Sequence, residues 1–178
     1  LLVAAYIPTQ SASAQSSSSS ALSIAPKKSY VIEPGDSVED KLTIRNLDSN
    51  EDLNLYLRVI DFTYTDDSGT PKLLLDTNTE PKTWSLRSYM KVPEKVTVKA
   101  NGSATVDTKI SMPSKIGAGS YYSAIIYSTT APDGGNVGLA ASGVTLAFVN
   151  VPGDVNENLI LKKFGAYDAT TNKYMNFT

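Results

Sequence analysis

Cysteine and histidine are both absent from the 178 residues. Without cysteine there is no disulfide framework, no thiolate nucleophile and no thiolate-held metal. Without histidine, the usual general base at neutral pH and the commonest transition-metal ligand are missing as well. Every Ser-His and Cys-His mechanism is thereby excluded within this sequence. Carboxylates, lysines and tyrosines are what remains for catalysis, and the reading is that the chain is not an enzyme. An excess of one charge is also lacking. The 16 Lys and Arg face 18 Asp and Glu, a net charge of −2. That balance offers no basic face for nucleic acid and no polybasic cluster for an anionic membrane. The scattered charges read as a solvated surface. No apolar stripe recurs at the helical period of 3.6 residues.

What is present is a 41% apolar content, adequate for a core without covalent ties. The first residues read as processing signal rather than fold. Leu1 to Ile7 resembles the tail of an apolar signal region, and Ala12-Ser13-Ala14 supplies a small-x-small cleavage site before Gln15. The apolar stretch is too short to span a bilayer. Residues 1–14 are therefore expected to be a signal-peptide remnant, and 15–21, with its run of five serines, a flexible leader. The mature protein is expected to be exported, extracellular or at the cell surface.

From residue 22 the signal is β throughout. Val38, Asp40, Leu42 and Ile44 alternate with polar neighbours, as do Ala104, Val106, Thr108, Ile110 and Met112. A period of two marks strands with one buried face. Glu33-Pro34-Gly35-Asp36 is a turn, with Pro34 presetting φ and Gly35 accepting a positive φ. Leu53 to Thr65 is the longest strand, and it is ambiguous. Leu53, Leu55, Leu57 and Val59 share one face; Tyr56, Ile60, Phe62 and Tyr64 share the other. Either both faces are covered or a bulge near Ile60-Asp61 switches the parity. Lys72 to Leu75 is a brief strand on an excursion that ends near Trp84. Ser120 to Thr129 is apolar on both faces, as in a central strand. Val137 to Val151 is one strand or two, interrupted near Ser142-Gly143.

Seven to nine strands with turns about every ten residues predict an immunoglobulin-like antiparallel β-sandwich over 22–153. Pro152-Gly153-Asp154 marks a boundary. Residues 154–178 read as the opening strands of a second, truncated β-sandwich, since about 25 residues cannot form a domain alone.

The order of signals carries a resemblance. It runs from Leu22-Ser23-Ile24-Ala25-Pro26 through Glu33-Pro34-Gly35-Asp36-Ser37, Ile44-Arg45-Asn46 and Val59-Ile60-Asp61-Phe62. It continues through Pro113 to Gly117 and Gly119 to Tyr121-Tyr122, and ends on Phe148-Val149-Asn150-Val151-Pro152-Gly153-Asp154. Over Leu22 to Asp154 this resembles the exported immunoglobulin-like surface domain related to the WxL-interacting proteins of Gram-positive bacteria, with uncharacterised candidate-phylum relatives. The resemblance implies a signal peptide, a sandwich, often a second sandwich, and a C-terminal membrane anchor. It also implies peptidoglycan as a partner, although no binding residue transfers one by one. The chain is accordingly expected to bind a cell-wall polymer or a surface protein. A passive spacer in a stalk and a chaperone-like, strand-donating sandwich are the alternatives. A monomer is expected, meeting the membrane only through a downstream anchor.

Candidate residues remain few. Trp84, the single tryptophan, and nearby Tyr89 are ligand-binding candidates, because an exposed ring stacks on a sugar; the competing reading places Trp84 over the rim of the core. Tyr121, Tyr122 and Tyr127 read as packing. Tyr121, just after Gly117 and Gly119, sits where a tyrosine corner sits in such sandwiches. Asp61, Asp66 and Asp67 are either paired carboxylates, acting as acid and base or holding Ca²⁺, or a polar hairpin turn. Asp154, Asn156 and Asn158 are weak Ca²⁺ candidates at the boundary, against a solvated hinge. Gly134-Gly135 lacks the strand–loop–helix context of a phosphate cradle, so no cofactor is expected.

Overall fold

The computed structural model describes residues 22–66, 68–76, 78–131, 141–154, 165–168, 170 and 173–176. Among them the chain forms twelve strands and no helix. Strands β1 (Leu22–Ser23), β3 (Ser37–Asn46), β8 (Ser103–Ser111) and β6 (Met90–Lys91) make a smaller sheet in the order β1-β3-β8-β6. The larger sheet runs β2 (Lys27–Val31), β10 (Ala141–Val151), β9 (Gly119–Ser128), β4 (Leu53–Tyr64), β5 (Pro71–Leu74). Its β4 also pairs, along its first residues, with β7 (Lys95–Val98). The two sheets pack as an immunoglobulin-like β-sandwich. Strands β11 (Gly165–Asp168) and β12 (Lys173–Asn176) form a separate antiparallel hairpin. The expected signal peptide and leader lie outside the described residues.

The layer between the sheets follows from alternation. Leu42 and Ile44 of β3, Val106 and Ile110 of β8, Leu55 and Leu57 of β4, Ile125 and Tyr127 of β9, and Ala147 and Val149 of β10 are all buried in one cluster. Each Leu or Ile removed from water contributes about 1.5–3 kcal/mol. The ambiguity of β4 resolves without a bulge. Its register against β9 is unbroken from Tyr56↔Ser128 to Ile60↔Ala124. Leu55 and Leu57 enter the inter-sheet layer, whereas Ile60 and Phe62 join a second buried cluster with Ala124 and Ile126 on the outer face. In β10 the register shifts between Ala141 and Gly143, the site where the sequence predicts an interruption.

Ten strands build the sandwich, more than the seven to nine predicted, because two strand positions are each shared between sheets. At Pro26 the chain leaves β1 in the smaller sheet and becomes β2, which pairs parallel to β10 in the larger one. At Pro93 it leaves β6 and becomes β7 against β4. Proline has no N–H for a ladder, so each switch falls where a ladder bond would have been lost. Other corners carry their own fixings. Asp36 N donates to Glu33 O at 3.1 Å across Pro34-Gly35, and Gly35 has φ of 92°. At the crossover from β8 to β9, the Tyr121 hydroxyl donates to Gly117 O at 2.9 Å, and Gly119 has φ of 141°.

A polar contact crosses between the sheets at β2. Asp40 on β3 points inward and accepts from Lys28 Nζ at 2.8 Å and Tyr30 Oη at 2.7 Å, both on β2. Hydrogen bonds from Lys28 and then Tyr30 hold the Asp40 carboxyl below its ordinary value against partial burial. Partial burial first, and Asp40 second, push the Tyr30 hydroxyl well up. Side-chain exposure of 29% on both Lys28 and Asp40 limits the ion pair to about 1 kcal/mol or less. The latch fixes β2 in place; the apolar layer does the holding.

Two measurements follow from these fixings. The Asp40 contribution is complete above the unfolded carboxyl value of roughly 3.9 and is lost as pH falls through the lower folded value. Asp40→Asn is expected to lower the neutral-pH melting temperature by a few degrees, for about 1 kcal/mol. It should also flatten the fall in stability below pH ~4; an unchanged acid limb in a melting series from pH 2 to 7 contradicts the latch. Tyr121→Phe is expected to cost about 1 kcal/mol, the value of one hydroxyl-to-carbonyl bond, and a urea titration matching wild type removes the corner from the stabilising features.

Candidate functional site

The longest excursion among the described residues joins β5 to β6, and it enters the larger sheet at a fork. Strand β4 pairs with β9 only as far as Ile60↔Ala124. Beyond that point Ser85 bridges Tyr122 of β9 instead, and Tyr122 N donates to Trp84 O at 2.8 Å. Asp61 sits in the fork, 3% exposed. Its Oδ1 accepts from Ser85 Oγ at 2.5 Å and Ser123 Oγ at 3.3 Å. Its Oδ2 accepts from Lys82 N at 3.3 Å and faces Arg87 Nη1 at 3.5 Å. The serine oxygens then take the next backbone groups: Leu86 N donates to Ser123 Oγ, and Arg87 N to Ser85 Oγ. Asp61, Ser85 and Ser123 are all buried. The cluster is a staple that fastens the excursion to the sheet.

The staple sets the side chains on either side of it. Leu86 goes into the inter-sheet layer, fully buried. Trp84, two residues earlier, lies on the outer face of the larger sheet and stacks on Tyr122, with ring centroids 6.0 Å apart and planes at 27°. Tyr122 opens a row of rings that crosses the sheet. It lies beside Phe148 of β10 at 6.1 Å and beside Phe62 and Tyr64 of β4 at 4.9 and 6.3 Å. Phe62 meets Tyr64 edge-on at 5.7 Å. Lys27 of β2 places its Nζ 5.0 Å from the Phe148 centroid, within cation–π range. Partial burial, then the neighbouring Tyr64 and Asp61, raises the Tyr122 hydroxyl. Tyr64 is 43% exposed, while Trp84, Tyr122 and Phe148 are half-buried. The opposite outer face, on the smaller sheet, carries Glu39, Lys41, Thr43, Arg45, Thr105, Asp107 and Lys109, all exposed.

The sequence-predicted residues are therefore distributed as follows. Trp84 belongs to the outer aromatic row, and its Nε1 is shielded with no hydrogen-bond partner among the described residues. Tyr89 does not join it; that ring packs against the inter-sheet layer. Tyr127 is buried in the same layer, its hydroxyl pushed up by burial. Tyr122, expected as packing, is the hinge of the row. Asp61 and Asp66 are not brought together: Asp66 accepts from Ser68 N and Thr70 N within its own turn, and Asp67 lies outside the described residues. Asp154 is exposed, while Asn156 and Asn158 lie outside the described residues. Among the described residues no group of three or more Asp or Glu is placed to hold a metal ion. Ser85, Ser123, Phe148 and Lys27 escaped the sequence reading. The period-two face shared by Ile60, Phe62 and Tyr64 was the one signal that pointed to the row.

No family model matches this chain, and no curated protein matches it. Among solved structures, the PapD-like domain 7 of human CEP192 is similar with a TM-score of 0.45 at 13% identity, over 87% of this chain and 99% of that one. A putative carbohydrate-binding protein from Bacteroides ovatus gives 0.46 at 14%, over 72% of this chain and 36% of that one. The E. coli chaperone DraB gives 0.43 at 18%, over 74% and 55%. These likenesses concern the fold alone.

Loss of the staple has a built-in reporter, because Trp84 is the sole tryptophan. Asp61→Ala strands two buried hydroxyls and a backbone N–H, and is expected to cost about 2–4 kcal/mol. Trp84 emission should shift to the red as the excursion loosens. Emission unchanged in a folded Asp61→Ala protein contradicts the staple.

Proposed function

We propose that this chain is a non-catalytic, exported surface module that binds a cell-wall polysaccharide on the aromatic outer face of its larger sheet. The observation that carries the reading is the contrast between the two outer faces. One is polar and laced with ion pairs, Lys41 to Asp107 and Lys109 to Glu39. The other bears a row of rings across three strands and the excursion before β6, ending in the exposed Tyr64. A solvated antiparallel face needs no such row, and contiguous apolar surface on a sandwich marks a binding face. Aromatic rings with polar rims suit a polysaccharide, whose sugars present apolar C–H faces and hydroxyl edges. Tyr64 Oη, Tyr122 Oη and Lys27 Nζ supply polar groups beside the rings. The resemblance to exported surface domains supports the cell wall as the setting.

A strand-donating role finds less support. Strand β10 is flanked on both sides, by β2 and β9. The outermost strands have little edge to donate: β1 and β6 have two residues each, β5 begins with Pro71, and β2 begins with Lys27-Lys28. A passive spacer has no use for the aromatic row.

Co-sedimentation with purified peptidoglycan, with chitin as a second polymer, tests the reading. The wild-type protein is expected to pellet with the polymer, and Tyr64→Ala to bind about 5–30-fold more weakly, for 1–2 kcal/mol of lost stacking. Tyr64 is exposed, so its melting temperature should barely change. Equal pelleting of the two proteins, or none by either, overturns the proposal.

A further inference from the structure

The switch at Pro93 leaves part of β8 without a neighbour. On one side β8 pairs with β3 along its whole length, from Arg45↔Ser103 to Ser37↔Ser111. On the other side β6 pairs only Met90↔Ile110 and Lys91↔Lys109. The next residues in register would set Pro93 opposite Asp107, and proline offers no N–H there. The chain turns away instead, Leu57 N takes Glu94 O at 2.9 Å, and β7 joins the other sheet.

The free edge presents definite groups. Ser111 N donates to Tyr89 O on the β6 side, and Asn46 N takes Gly102 O on the β3 side. Alternation in an antiparallel ladder then turns the N–H and C=O of Thr105 and Asp107 toward the vacated side. The vacated space is a groove of about 820 Å³ between β8 and the β6–β7 segment. Val92, Pro93 and Val96 line it and are half-buried. Its charge is unbalanced. Lys41 and Lys109 are paired with Asp107 and Glu39 and Lys95 lies over the Tyr56 ring at 5.3 Å, whereas Lys91 has no ion pair among the described residues.

We propose that this groove accepts an extended, acidic polypeptide segment of a partner protein as an added strand beside β8. The segment takes the place that β6 gives up at Pro93. Its backbone bonds to Thr105 and Asp107. Apolar side chains on one face meet Val92 and Val96, and carboxylates on the other meet Lys91. This surface lies away from the aromatic row, so the two proposals stand or fall separately.

The test titrates the ¹⁵N-labelled protein with a blocked heptapeptide alternating valine and glutamate. Amides of Thr105 and Asp107 should exchange fast with solvent in the free protein, unlike those of Ala104 and Val106. They should gain protection and shift on adding peptide. The same peptide N-methylated at alternate residues should bind at least about tenfold more weakly, since two lost backbone bonds are worth about 1 kcal/mol each, and the plain peptide should bind Thr105→Pro about fivefold more weakly for the one N–H lost. Thr105→Pro is expected to fold, because its N–H faces the open edge; should it not, the methylated peptide still decides. Lys91→Glu should weaken binding several-fold, with salt doing the same to the wild type. Slow exchange of Thr105 and Asp107 without peptide, shifts confined to other strands, or equal binding of the methylated peptide overturns the proposal. So does sedimentation showing a dimer that Thr105→Pro dissolves, since the edge would then be taken by a second copy.

Discussion

Two sheets with no covalent tie between them are held by the apolar layer they share. Leu42, Ile44, Leu55, Leu57, Ile110, Ile125 and Val149 are each at most 3% exposed. Several such side chains outweigh any single polar contact, at about 1.5–3 kcal/mol apiece against about 1 for a hydrogen bond. Because that layer is continuous, the polar residues around it are free to act as fixings. The Asp40 latch, the Tyr121 corner and the Asp61 staple each close a different margin of the layer: at β2, at the crossover into β9, and at the fork between β4 and β9.

The same economy explains the strand switches. A sandwich of two sheets has edges that invite aggregation, and a chain that changes sheet mid-strand shortens them. Pro26 moves the first strand across to cover β10, and Pro93 moves β6 across to cover the beginning of β4. The first switch closes an edge with Lys27 and Lys28 on the covering strand. The second opens one, because β6 stops before β8 does. The covered and the open edges thus come from one device used twice.

The larger sheet differs from the smaller in having apolar side chains on both faces. Inside, this completes the core. Outside, it gives a second cluster and the aromatic row, whose placement depends on Ser85 and Tyr122 meeting in parallel at the fork. A single buried carboxylate, Asp61, fastens Ser85 at the fork, next to Trp84 on the row. Structural stapling and the candidate binding face are one arrangement seen from its two sides.

Local pattern by itself determined the β class, most strand positions and the inward residues of β3 and β8, because a strand buried on one face writes its orientation as a period of two. It also determined the Pro34-Gly35 turn, whose chemistry is local. Pattern left β4 undecided, since a strand covered on both faces has no polar side to mark. It paired Trp84 with Tyr89 because they are close in the chain, whereas the staple sends Trp84 outward and Tyr89 toward the core. Only the tertiary structure decided the parallel partnership of β2 with β10 and the joining of Asp61 to Ser85 and Ser123. Those contacts link residues 24 to more than 100 positions apart, and serines carry no periodic signal of the acceptor they will meet. Pro93 stands between the two cases. Its missing N–H is legible in the sequence, but that the loss opens an edge on β8 depends on which strand lies opposite.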